Sequence, residues 1–241
     1  MLKEIYALNS YSTLHNNDSF QQKLLLLFKI YVIIFLFNFL SAPLYLMWEY
    51  IVTNLFHYKS LGNQYKLSMH SFFTKYGYWK ALLYITLIGP VIEELIFRLP
   101  LSFKRKHIAA SFGFALVLFA KAIPWISNQN LALNIILRIV LFAVGYLAFA
   151  KTLPQHTSPN KRAKTGLILA SIIIFGMLHT LNYAPFHLAI LFIYPLYVLP
   201  QSFMGWLLTY IRFKNGFFWG VALHIMINSI TMLLQLIYKP F

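Results

Sequence analysis

The chain has 241 residues, of which 60% are hydrophobic and only 10% are charged, and its mean hydropathy is +0.67. Soluble domains carry about a quarter of their residues as charged side chains, so this composition excludes an ordinary soluble domain and indicates a polytopic membrane protein. The absence of cysteine excludes disulfide bonds, a thiolate nucleophile and a thiolate-bound metal.

Apolar segments long enough to cross a membrane recur along the whole chain. A helix needs about 20 residues to cross a core of about 30 Å. The N-terminal tail, residues 1–23, is polar and lacks the features of a cleaved signal peptide, so the first apolar segment is expected to be retained. We predict seven spans: residues 24–47, 79–99, 107–126, 131–150, 165–182, 187–210 and 217–238.

Two segments depart from this simple pattern. Residues 48–78 interleave tyrosine, phenylalanine and lysine, which is typical of an interfacial amphipathic stretch or of one extra short span. Pro195 and Pro200 fall inside the sixth segment and should kink it. The expected fold is therefore all-α, a single-domain bundle over residues 1–241 with about seven transmembrane helices around a buried polar active site. Residues 79–238 form its motif-bearing core.

The net charge of +15 follows the loops and is not gathered on one face. Basic residues fill alternate connections between spans, and the intervening loops at 127–130 and 183–186 carry none. This is the positive-inside pattern, which predicts cytoplasmic basic loops in a lipid bilayer and no nucleic-acid partner. The basic loops contain Lys104, Arg105, Lys106, Lys151, Lys161, Arg162, Lys164, Arg212 and Lys214.

Glu93 and Glu94 are two of only five acidic residues, and both lie in an apolar segment. A carboxylate at membrane depth costs about 2.5 to 3.5 kcal/mol on insertion scales, so the pair calls for partners and a reason. Glu94 and Arg98 are four residues apart and share a helix face, so they should pair. Glu93 points about 100° away and is expected to face a cavity. A purely structural ion cluster is the alternative.

Two later spans also carry polar side chains. His179 follows Phe175 by one helical turn, and His224 and Asn228 share a helix face. At 1.5 Å per residue from the basic loops, Glu93, His224 and His179 lie about 16, 15 and 22 Å deep, in the middle third of the core. Such a group would suit water activation, or would bind a divalent metal through Glu93, His179 and His224 as in zinc hydrolases.

These residues resemble the motifs of a known family. EELIFR at 93–98 resembles the EExxxR motif of the CPBP family, which comprises the CAAX proteases and bacteriocin-processing enzymes. FGMLH at 175–179 is similar to its FxxxH motif, and HIMIN at 224–228 to its HxxxN motif. The resemblance implies an intramembrane protease whose general base is Glu93, supported by Glu94 and Arg98. By the same resemblance His179 and His224 would bind the water or a Zn²⁺ ion, and Asn228 would help to stabilise the oxyanion.

The chain departs from the family pattern in two places. Two additional predicted spans, 107–126 and 131–150, separate the first and second motifs, and this even number preserves the orientation of the second-motif helix. Leu99 and Pro100 stand where a glycine often follows the arginine.

The expected substrate is a peptide or a membrane-protein segment, and the expected location is a bacterial cell membrane. A non-catalytic scaffold or immunity factor, or a proton-coupled transporter that uses Glu93 and the histidines, is the alternative function.

Overall fold

The computed structural model describes residues 1–14, 18–120, 126, 130–154 and 159–238, and all regular structure among these residues is helical. The α-helices are α1 (Leu2–Tyr6), α2 (Phe20–Tyr50), α3 (Leu61–Tyr76), α4 (Tyr78–Leu83), α5 (Gly89–Phe97), α6 (Arg105–Phe119), α7 (Leu131–Thr152), α8 (Lys161–Leu178), α9 (Tyr194–Tyr197), α10 (Leu199–Lys214) and α11 (Phe217–Tyr238). Short π-helical turns at Ile51–Leu55 and Tyr84–Ile88 continue α2 and α4, and 3₁₀ turns occupy Leu8–Thr13, Pro100–Ser102, His179–Tyr183 and Leu188–Ile193.

Within the described part of the chain, four helices are long and apolar enough to cross a membrane: Phe20–Leu55, Leu131–Thr152, Lys161–Tyr183 and Phe217–Gln235. A fifth span results if the pair Leu188–Tyr197 and Leu199–Lys214 is counted as one helix bent by 42°. This bend confirms the predicted kink, because Pro195 and Pro200 each stand in the first turn of a new helix, where proline is tolerated.

The other two predicted spans are not among these apolar helices. Residues 78–97 are helical throughout, since the π turn Tyr84–Ile88 continues α4 into α5, but this helix carries the charged residues Lys80, Glu93 and Glu94. Helix α6 has 15 residues, fewer than a perpendicular crossing needs. The remainder of the predicted span 107–126 falls mostly outside the described residues.

The chain divides into two compact units. The first contains residues Met1–Pro90 and Leu169–Phe241, and the second contains Val91–Ile168. The boundaries fall within α5 and α8, just before the first motif and six residues before Phe175 of the second.

Polar side chains begin several helices. Ser19 and Gln22 form a capping box at the start of α2, with each side chain bonded to the other residue's backbone N–H. Ser60 and Asn130 accept bonds from backbone N–H groups at the starts of α3 and α7. Helix α3 ends at Gly77, whose φ of 79° is readily adopted only by glycine.

In the first unit, the N-terminus of α2 lies beside the turn between α10 and α11. The Nδ2 group of Asn215 donates to the carbonyl oxygen of Lys23 at 3.2 Å, and the Nζ atom of Lys214 lies 3.9 Å from Asp18 Oδ2. The start of α2 and the basic C-terminal end of α10 are therefore at the same end of this unit.

The predicted polar tail is folded against α10. Tyr11 is fully buried, its hydroxyl donates to the carbonyl oxygen of Ile5 at 2.6 Å, and it accepts from Trp206 Nε1 at 2.9 Å. Burial raises the pKa of Tyr11 well above its usual range, so the phenol stays protonated and can donate. Tyr210 donates to Glu4 Oε2 at 2.8 Å on the same side of α10. This docked segment joins the start of the chain to its last helical hairpin.

We expect Tyr11→Phe to lower the free energy of unfolding by about 1 to 2 kcal/mol, because it leaves the Ile5 carbonyl and Trp206 N–H with one hydrogen-bond partner fewer while it preserves the ring. Thermal unfolding in detergent measures the loss. Tyr6→Phe is the matched control, since the ring of Tyr6 packs edge-on against Trp206 at 5.4 Å and the residue is 70% exposed. A Tyr11→Phe protein as stable as the Tyr6→Phe control would contradict the docking of this segment.

The second unit is built on the close antiparallel pair of α6 and α7. A β-carbon added at Gly145 would come within 3.0 Å of the Gly113 Cα and 2.9 Å of Leu116 Cδ1, so the helices approach at their glycines. Phe112 and Phe149 stack with ring centroids 3.5 Å apart. Small residues that allow backbones to approach closely are the usual basis of helix pairing in membranes.

Alanine substitution at two glycines should therefore have opposite effects. Gly145→Ala is expected to destabilise the protein by about 1 to 2 kcal/mol, because the added β-carbon would lie only 3.0 Å from the Gly113 Cα and backbone must shift to accommodate it. Gly166→Ala places the same β-carbon in open space in α8 and should stabilise by about 0.5 to 1 kcal/mol through helix propensity. Thermal unfolding of the two variants tests this, and equal shifts of the same sign would contradict the close approach.

Candidate functional site

The first motif lies at the C-terminal end of α5, in the second unit. Glu94 and Arg98 are both fully buried, and Arg98 Nη1 lies 3.4 Å from Glu94 Oε1. The backbone N–H of Arg98 donates to the Glu94 carbonyl at 2.9 Å, so the helical repeat that places the side chains one above the other extends to the arginine. The predicted pair is confirmed.

Glu93 differs from its neighbour in exposure. It is half-buried, whereas Glu94 and Arg98 are completely enclosed. Arg98 forms its ion pair with Glu94, at 3.4 Å. Charge neutralisation in this motif therefore favours Glu94, and the Glu93 carboxylate keeps access to its surroundings, as general-base chemistry requires.

The second motif spans the end of α8 and the 3₁₀ turn that follows it. His179 Nδ1 lies 2.9 Å from the Phe175 carbonyl oxygen, and the two rings are 4.9 Å apart at their centroids. Since a carbonyl only accepts, Nδ1 carries the proton and Nε2 presents a lone pair. This tautomer suits a base or a metal ligand, because metal-binding imidazoles commonly donate their second nitrogen to a backbone carbonyl.

The third motif brings a second imidazole to the same phenylalanine. His224 on α11 is 1% exposed, and its ring centroid lies 5.7 Å from that of Phe175 in an edge-to-face arrangement. His179 and His224 therefore come from different helices of the first unit and contact one ring. Phe175 was named from the sequence only as part of the FxxxH motif. In the structure it is fully buried, and its ring packs against the two imidazoles.

Asn228 forms a hydrogen bond with the backbone, and the position of a proline explains why. Its Nδ2 donates to the Ile85 carbonyl at 3.0 Å, in the π turn Tyr84–Ile88. Gly89 N–H bonds to the Tyr84 carbonyl in that turn, and the next donor in the i→i+5 pattern would be Pro90, which has no N–H. Asn228 thus supplies the donor that the proline lacks, through one of its two amide N–H groups.

The six predicted site residues are divided between the units. Glu93, Glu94 and Arg98 belong to the second unit, and His179, His224 and Asn228 to the first. Their convergence on one cavity stays a prediction. Within each unit, the described residues contain no group of three or more histidine, aspartate and glutamate side chains placed to hold a metal ion.

The two imidazoles near Phe175 supply two nitrogen donors of the type that zinc prefers, and a third ligand would have to come from Glu93. Metal binding by Glu93, His179 and His224 therefore also stays a prediction.

Arg138 and Glu49 are two of the charged residues to which the sequence assigned no role. Arg138 lies within the apolar helix α7, where its Nε donates to Asn134 Oδ1 at 2.6 Å and its Nη1 to the Val117 carbonyl at 3.2 Å, close to the C-terminal end of α6. It therefore caps α6. Glu49 lies near the end of α2 among tyrosine side chains. Both could have been singled out in the sequence, because each is an ionisable residue in or beside an apolar segment.

No family model, curated protein or solved structure matches this chain.

Proposed function

We propose that the protein is an integral, multi-pass endopeptidase of the CPBP type that hydrolyses a peptide bond near the membrane. The observation that carries the proposal is the meeting of His179 and His224, from two different motifs, at the ring of Phe175. The buried Glu94–Arg98 pair adds support. Glu94 is neutralised by the arginine, whereas the adjacent Glu93 carboxylate is half-exposed.

In the proposed reaction, a water molecule attacks the carbonyl carbon of the scissile bond. Glu93 accepts a proton from the water as the oxygen–carbon bond forms, and the same proton then passes to the leaving amine as the carbon–nitrogen bond breaks. The lone pair on His179 Nε2 orients the water together with His224. The second amide N–H of Asn228 donates to the oxyanion. Glu94 and Arg98 stabilise the end of α5 and act by positioning Glu93.

A divalent metal such as Zn²⁺ would be held by His179, His224 and Glu93. When bound, it would lower the pKa of a coordinated water and polarise the substrate carbonyl. Metal analysis of the purified protein distinguishes this version of the site from a glutamate and water system.

The proposed topology has about seven spans, in a bacterial cell membrane. The C-terminal end of α10 carries Arg212 and Lys214, which the positive-inside pattern assigns to the cytoplasm. The start of α2 lies beside that end of α10, through Asn215 and Lys23, so the N-terminus is assigned to the cytoplasm as well.

Reconstitution in proteoliposomes tests the function. Wild-type protein incubated with a pool of bacterial membrane peptides should generate new N-termini, identified by chemical labelling and mass spectrometry, at a rate that does not depend on a proton gradient. Gradient-dependent flux without new termini would replace proteolysis by transport. The absence of both would leave a non-catalytic scaffold.

A further inference from the structure

A carboxylate outside the three motifs lies in an enclosed aromatic environment. Glu49, near the end of α2, accepts a hydrogen bond from the hydroxyl of Tyr197 at 2.6 Å. Its Oε2 atom also receives the backbone N–H of Gly62, at a long 3.4 Å. Among the described residues no lysine, arginine or histidine forms an ion pair with Glu49, in contrast to Glu4 and Asp18, which both lie near Lys214. The carboxylate therefore has hydrogen-bond donors but no cation.

The second carboxylate oxygen has a different environment. Glu49 Oε1 is buried and has no hydrogen-bond partner within the described chain. It lies next to the start of α3, because a β-carbon built on Gly62 would be 3.8 Å from this oxygen and 2.5 Å from the hydroxyl oxygen of Tyr45. A buried carboxylate oxygen without a donor is costly, so this atom calls for a hydrogen-bond donor, which an ammonium group supplies together with a positive charge.

Tyrosine rings pack together beside this carboxylate and favour the same kind of partner. The Tyr197 ring meets those of Tyr45 and Tyr183 edge-to-face, at interplanar angles of 70° and 68°. Tyr65 packs against Tyr183 with centroids 5.9 Å apart. An ammonium group beside aromatic rings and a carboxylate is attracted by the faces of the rings and by the negative charge of the carboxylate. We refer to Glu49 with Tyr45, Tyr65, Tyr183 and Tyr197 as the tyrosine cage.

The cage is connected to the second motif by the chain itself. Tyr183 ends the 3₁₀ turn that begins at His179, and at about 2 Å per residue the two backbones are about 8 Å apart along that turn. Glu49 lies 26 residues beyond Lys23, or about 39 Å along α2, farther than the membrane core of about 30 Å is thick. The cage therefore belongs at the membrane surface opposite the start of α2.

We propose that the tyrosine cage binds a primary ammonium group of the peptide substrate, either a lysine side chain or a free N-terminus, and so selects substrates with a basic group near the cleaved bond. Only one of the two carboxylate oxygens lacks a donor, which matches a compact ammonium better than the two-pronged guanidinium of arginine. Tyr45 offers a hydroxyl oxygen as a second acceptor. The inference rests on the proposed protease function for the nature of the ligand, but binding at the cage does not require catalysis.

Binding is measured with the Glu93→Gln protein in nanodiscs, so that no cleavage intervenes. The probes are an apolar peptide with both ends blocked and a single lysine, and the same peptide with Nε-acetyl-lysine. Glu49→Gln keeps an acceptor for Tyr197 and Gly62 but removes the charge. We expect it to weaken binding of the lysine peptide by about tenfold or more and to leave the acetyl-lysine peptide unchanged.

Glu4→Gln is the matched control, because Glu4 also accepts a tyrosine hydroxyl but already lies near Lys214. It should leave both affinities unchanged, and thermal unfolding of each variant confirms that the fold is retained. Equal affinity of the lysine peptide for the Glu49→Gln and Glu4→Gln proteins would overturn the proposal, as would failure of that peptide to bind at all. In that case Glu49 serves only to hold the start of α3.

A lipid headgroup is the other source of an ammonium group. Nanodiscs of phosphatidylethanolamine and of phosphatidylcholine are therefore compared. Glu49-dependent retention of phosphatidylethanolamine, with no Glu49-dependent peptide binding, would replace the peptide by a lipid. Lysine-peptide binding that depends on Glu49, without new termini from the wild-type protein, would retain the cage and reject the protease.

Discussion

Replacement of Glu93 by glutamine is expected to lower the rate of peptide-bond hydrolysis by about 10² to 10⁴, the range typical for loss of a general base. The amide has nearly the shape of the carboxylate but does not take a proton from water. Because Glu93 is half-buried and Glu94 forms the buried pair, the substitution should leave thermal stability almost unchanged. The measurement is the initial rate of appearance of new N-termini in proteoliposomes, together with a melting curve.

Asp18→Asn is the matched control for this experiment. It neutralises another of the five acidic residues, at a position 3.9 Å from Lys214 and remote in sequence from every motif. The control should keep full activity. A well-folded Glu93→Gln protein that cleaves as fast as the Asp18→Asn protein would remove Glu93 from the mechanism and leave the first motif with a structural role alone.

Removal of the Arg98 side chain should have the largest effect on stability. In Arg98→Ala, Glu94 loses the cation 3.4 Å away while it remains completely enclosed, and a buried pair broken in this way costs about 3 to 5 kcal/mol. We expect a lower melting temperature in detergent, a lower yield from membranes and loss of activity. Unchanged melting of Arg98→Ala would show that the pair does not form in solution.

The double variant Glu94→Gln, Arg98→Met distinguishes the contribution of the ion pair to stability from that of the packing of the arginine side chain. Removing both charges leaves no stranded ion, so the double variant should melt well above Arg98→Ala. If the two proteins melt at the same temperature, the loss comes from the packing of the long arginine side chain and the ion pair contributes nothing.

Much of the local structure follows directly from sequence. Spacing of four residues is enough to pair Glu94 with Arg98, because the helical repeat alone places them on one face. Pro195 and Pro200 specify a break in the sixth apolar segment, because proline removes a backbone donor and clashes with the preceding turn. The long apolar helices were also predictable, since composition decides which solvent a segment requires.

Interactions between distant residues depended on the tertiary structure. No pattern in residues 79–99 predicts that Asn228, far away in sequence, donates to the Ile85 carbonyl that Pro90 leaves without a donor. Nor does spacing place His179 and His224 at one phenylalanine, because that contact depends on how α8 and α11 pack.

Glu49 shows this division most clearly. Its presence beside an apolar segment is visible in the sequence, but its hydrogen bond to Tyr197, in a cluster with Tyr45, Tyr65 and Tyr183, is a property of the folded first unit. Local sequence thus determined which side chains share a helix face, because that is fixed by the 3.6-residue repeat. Tertiary packing decided which faces meet, because helix association depends on the combined shape and hydrogen bonding of segments far apart in the chain.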